Sequence, residues 1–66
     1  MTYDGFSNNG LRAMHLGVWR AMMDDDMRPA AARQYGVRAT PDWRIHGDRI
    51  EAELARRGLW FAALPW

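Results

Sequence analysis

Cysteine is absent from this 66-residue chain, lysine is absent too, serine occurs once, and no apolar run is long. Each gap removes a class of protein. Without cysteine there is no disulfide framework and no thiolate zinc site. A membrane-spanning helix needs ~20 mostly apolar residues in succession, and no stretch approaches that. Residues 1–9 lack the basic start, apolar core and small-residue cleavage site of a secretory signal. The expected location is therefore the cytoplasm, to which a cysteine-free composition is suited. Nucleophilic catalysis is thinly supplied, since Ser7, Thr2 and Thr40 are the whole complement of serine and threonine and fall at cap or lead-in positions. His15 lies on the apolar side of a helix, where a hydrogen-bonded core histidine is the commoner outcome. His46 with Asp48 is too small a set for a metal, which needs three or four ligands at suitable spacing. The glycines stand singly at caps and turns, leaving no phosphate-cradling loop. No catalytic residue, metal or cofactor is expected, and the chain is read as a non-enzyme.

What is present is aromatic and arginine-rich. A chain of this size buries only ~60% of the surface it exposes when unfolded, so a single domain over 1–66 has a marginal core. Four tryptophans, two tyrosines and two phenylalanines compensate, because each can bury roughly 150–250 Å². Self-association into a homodimer is the other available aid. Nine basic residues against eight acidic leave a net charge of +1, which is no electrostatic footprint for general nucleic-acid binding. All nine are arginine, whose planar fork suits carboxylate, phosphate and interface contacts.

Helical periodicity dominates the chain. After an irregular lead-in over 1–9, Ser7, Asn8 and Asn9 are all competent caps for a helix running over 11–23. Leu11, Met14, Val18 and Met22 form its apolar stripe, with His15 and Trp19 beside it and Leu16 and Met23 flanking. So wide an apolar arc implies either a central place in a small bundle or a surface given to a partner. On the opposite side Ala13, Gly17 and Ala21 make a small-residue ridge, read as featureless surface. Asp24-Asp25-Asp26 interrupts the pattern, and Asp26 is placed to cap a short second helix through Pro29, Ala30, Ala31, Ala32 and Tyr35 that stops at Gly36. A calcium loop would need alternating ligands and a later glutamate, so the three aspartates are assigned to capping and solvation.

Signals conflict over 37–46. Thr40-Pro41-Asp42 is a good helix start and would put Trp43, Gly47, Ile50 and Leu54 on one face. The alternative is a short β-hairpin turned at Pro41-Asp42. Asp48 and Glu51 have capping-box spacing after Gly47, which places the start of the strong last helix at Arg49 with Asp48 as its cap. That helix pairs Glu53 with Arg57 and stops at Gly58, after which Leu59 folds back in a Schellman-type contact. The fold class that follows is mainly α, a small bundle of about three helices, with either the hairpin or an extended segment over 59–66.

Two function classes remain. The segment 59–66 is almost entirely apolar and serves either as a lid on the core or as a binding surface. Leu59 and Phe61 are expected to close the core, and Trp66, following Pro65, to dock. Tryptophan, tyrosine and arginine are the usual interface anchors. The expected function is thus a small regulatory or inhibitory protein that binds a larger protein, with Arg57, Trp60, Phe61, Leu64 and Trp66 as partner-binding residues. Accessory inhibitors of phages and mobile elements, anti-CRISPR proteins among them, are of this type. The alternative is a DNA-binding regulator, because Ala30-Ala31-Ala32-Arg33-Gln34-Tyr35-Gly36-Val37 resembles the first half of a helix-turn-helix. Pro41 and Asp42 fit the second half poorly.

Overall fold

Ser7 opens the first helix: its Oγ accepts the Gly10 amide at 3.0 Å, satisfying one of the donors a helix start leaves free. In the computed structural model, which describes residues 3–66, helix α1 (Asn8–Asp26) is followed by a three-residue 3-10 turn (Ala30–Ala32) and by α2 (Pro41–Arg56). The protein is mainly helical, with no strand among the described residues.

The three aspartates do not end α1, which runs through all of them. Each is engaged separately. Asp24 pairs with Arg28 four residues on at 3.1 Å, and Asp26 pairs with Arg38 at 2.9 Å. Asp25, only 2% exposed, turns inward and accepts the amides of Val37 at 3.0 Å and Tyr35 at 3.2 Å. The trio therefore ties the connection over 27–40 back onto α1. This is why the expected second helix is missing. Asp26 is taken by Arg38 and caps nothing, Pro29 is extended, and a run of three alanines is too short to sustain the costly first turn of a helix. The segment 30–37 is consequently not the first helix of a helix-turn-helix, and the connection over 27–40 far exceeds the about three or four residues of that motif.

Over 37–46 the helix start prevails over the hairpin. Thr40 is the extended N-cap, Pro41 fills the first turn where a missing N–H costs nothing, and Asp42 lies at the positive end of the helix. Helix α2 continues without a break through Gly47 and Asp48, so Asp48 is not a cap. Its carboxylate lies 3.5 Å from Arg44, with both side chains more than half exposed. Such pairs contribute little. Asp48→Ala is therefore expected to move stability by no more than about 0.5 kcal/mol in urea denaturation, whereas the loss of a true cap costs about 1 kcal/mol.

The C-terminal end of α2 matches its signals. Leu59 N–H donates to the Leu54 carbonyl at 2.9 Å and Gly58 N–H to that of Ala55 at 3.0 Å, the two bonds of a Schellman motif. Gly58 supplies the left-handed backbone, φ +70°. Glu53 holds both Arg56 and Arg57, the latter at 2.6 Å.

Two helices cannot enclose a core alone. Leu11, Val18 and Met22 of α1 meet Ile50 and Leu54 of α2, Val37 closes one end, and Leu64 from the segment 59–66 forms the third wall. An extended segment thus does the work expected of a third helix. Tyr3 and Phe6 pack from the lead-in, where Tyr3 Oη lies 2.6 Å from His46 Nδ1.

Buried and paired carboxylates make this fold acid-sensitive. The Val37 amide is the main cause holding Asp25 below the usual carboxylate range, Arg38 lowers Asp26, and Arg56 and then Arg57 lower Glu53 from 4.5 to about 2. A depressed folded-state pKa stabilises above the unfolded value and ceases to do so as pH falls through the folded one. The urea midpoint is expected to hold from neutrality to about pH 5 and to fall steadily toward pH 2, with Glu53→Gln flattening part of the decline. A midpoint that is level across this range would contradict the pairings.

Candidate functional site

Helix α1 carries more apolar surface than the core absorbs. At about 100° per residue, Leu11, Val18 and Met22 point at α2, while Leu16 and Trp19 lie on the neighbouring arc with His15 between the two sets. Both Leu16 and Trp19 are 44% exposed. The segment after Gly58 passes beside this arc and leaves Trp60 83% exposed. Between them lies an open cleft of about 640 Å³ lined by Leu16, Trp19, Leu54, Trp60, Phe61 and Ala62, with Arg12 and His15 as the polar residues of the lining.

The inner side of the groove is fixed by one carboxylate. Glu51 Oε2 lies 2.7 Å from His15 Nε2 and accepts the Leu64 amide at 2.9 Å. An ionised carboxylate only accepts, so His15 presents Nε2–H to it. Phe61 packs edge-on against the same imidazole, ring centres 5.6 Å apart. One side chain of α2 therefore positions both walls, His15 on α1 and the backbone of 59–66.

Most of the arginines are engaged within the protein. Arg28, Arg38, Arg44, Arg56 and Arg57 are each in a salt bridge, and Arg33 donates to the Asp25 carbonyl. Among the described residues Arg12 and Arg20 have no carboxylate partner, and both lie on the exposed side of α1 that carries Leu16 and Trp19. Arg49 is also free of a salt bridge, but it stands two residues from Glu51 and so on the other flank of α2.

The five residues expected to bind a partner are dispersed by the fold. Trp60 and Phe61 line the groove. Arg57 is committed internally, donating to Asn8 Oδ1 at 2.9 Å and to the carbonyls of Asp4 and Tyr3, which staples the lead-in to α2. Leu64 is 6% exposed and belongs to the core. Trp66 packs on that core as well, against the expectation that a residue after Pro65 would be hard to hold. Arg38 donates to the carbonyls of Pro65 and Trp66, the Arg44 guanidinium lies 5.2 Å from the centre of the indole ring, and Gly47 leaves room beneath it. Leu16, Trp19 and Arg12 were not among the five. The signal for Leu16 and Trp19 is the excess width of the apolar arc of α1; Arg12 carries none in the sequence.

Among the described residues no three His, Asp or Glu side chains gather closely enough to hold a metal ion, and no helix is long and apolar enough to cross a membrane. Comparison with family models, characterised proteins and solved structures finds no match.

Proposed function

We propose that this chain is a small regulatory or inhibitory protein that acts by binding a larger protein through the groove between α1 and the segment 59–62. The observation that carries this is the pair of tryptophans facing solvent across an apolar cleft, Trp60 at 83% and Trp19 at 44% exposure. A chain short of core-forming area gains nothing in stability from leaving Trp60 in water, whereas an exposed aromatic beside a pocket is the usual composition of a binding hot spot. Regulation or inhibition is the form of action proposed because Ser7, Thr2 and Thr40 are so thin a supply of nucleophiles: a binder of this kind acts by occupying a surface.

Trp60→Ala separates binding from folding. The variant is expected to keep its helical circular dichroism and its denaturation midpoint within about 0.5 kcal/mol. It should lose partner affinity by about 2 kcal/mol or more, some 30-fold. The measurement is quantitative affinity capture from the native host with mass-spectrometric identification, followed by titration of the captured protein against both forms. Equal binding by both forms would remove the groove from the function.

A further inference from the structure

Resting on the docking role of the groove, we infer that its occupant is a short amphipathic helix of another protein that carries carboxylates beside its apolar face. The walls are side chains, Leu16, Trp19, Trp60 and Phe61, and among the described residues there is no strand whose edge would accept an extended peptide. Side-chain walls read the knobs of a helix. Arg12 and Arg20 stand two turns apart, about 12 Å along α1, and are left without carboxylates in a protein where six other arginines are each engaged. Acidic residues about seven apart on a docked helix would meet both.

The same two arginines argue against a second copy of this chain as the occupant. A two-fold pairing through the groove would bring Arg12 and Arg20 toward their own copies, with the acid one turn beyond Arg20, Asp24, already paired with Arg28. A lipid surface fits less well because the tryptophans flank a recess, whereas membrane-seated aromatics form a protruding or flat face.

The test is selection of a random 16-residue peptide display library on the intact protein, with Trp60→Ala as the counter-target. Selected peptides should show apolar residues at helical spacing together with Asp or Glu. Arg12→Glu combined with Arg20→Glu should weaken the best of them at least tenfold while circular dichroism is unchanged, and replacing the peptide's acids by lysine should restore binding to that double variant. Trp60-dependent peptides that are neutral or basic would overturn the acidic helix and leave the groove as a docking site. If no peptide depends on Trp60, both the inference and the docking role fail. Trp60-dependent dimerisation in sedimentation, or Trp60-dependent co-sedimentation with phosphatidylserine vesicles, would overturn the inference in favour of those occupants.

Discussion

Deletion of residues 59–66 is expected to abolish folding. The segment contributes Leu64 to the buried core and packs Leu59, Phe61 and Trp66 against it. Full burial of one large apolar side chain is worth about 1.5–3 kcal/mol, and three partly buried ones add at least as much again. Against this, a chain of such length has a total stability of roughly 3–10 kcal/mol at the usual value per residue. Deletion also removes the bonds from Leu64 N–H to Glu51 and from Leu59 N–H to the Leu54 carbonyl, and it uncovers Ile50 and Leu54, both fully buried in the intact protein. The truncated chain should show weak ellipticity at 222 nm and no cooperative thermal transition. A helical, cooperatively melting product would mean that α1 and α2 sustain each other without a third wall.

That third wall shows which parts of the fold local sequence could announce. Helix ends governed by neighbours in sequence are legible where the signals agree: Ser7 among the caps offered for α1, Gly58 with Leu59 closing α2, and Glu53 pairing with Arg57; the opening of α2 at Thr40-Pro41 is one of two readings the sequence leaves open. Features settled by distant partners are not legible. Asp25 and Asp26 read as terminators because local chemistry favours carboxylates at helix starts, but Val37, Tyr35 and Arg38 claim them from across the connection. Asp48 and Glu51 have the spacing of a capping box, and Glu51 is drawn instead to His15 and Leu64. Gly47 reads as the turn before that capping box, and what keeps it inside the helix comes from residues seventeen and more positions later in the chain.

The groove divides in the same way. Trp60 and Phe61 stood out as part of an apolar run, and they do line the cleft. Leu64 stands out as part of the same run and Arg57 as an arginine, a usual interface anchor, yet Arg57 is consumed by Glu53 and the lead-in and Leu64 by the core. The opposite wall, Leu16 and Trp19, was visible only as surplus on α1. Separating core from surplus required knowing which arc α2 would cover.

Gly47→Ala is expected to destabilise the protein even though it replaces glycine by the best helix former at the middle of α2. Helix propensity alone would stabilise by about 1 kcal/mol. The added Cβ, however, would sit 2.7 Å from Trp66 Cζ2 and 2.9 Å from Leu64 Cδ1, closer than side-chain carbons approach one another. The leucine methyl can rotate aside. The indole is less free, with Arg44 near its ring and Arg38 holding the Pro65 and Trp66 carbonyls. Overpacking of this kind costs about 1–3 kcal/mol, so the net loss for alanine is up to about 2 kcal/mol. Gly47→Val adds two more carbons and a β-branched side chain without alanine's propensity gain; it should expel Trp66 from its seat. The cost is then roughly 3 kcal/mol, about 12–24 °C in Tm for a domain of this size. Combining Gly47→Ala with Trp66→Ala distinguishes a steric cause from a change in the helix itself. With the indole gone, most of the alanine penalty should disappear and the two substitutions should be strongly non-additive. If Gly47→Ala is as costly without Trp66 as with it, the glycine is retained for some reason other than the ring that rests on it.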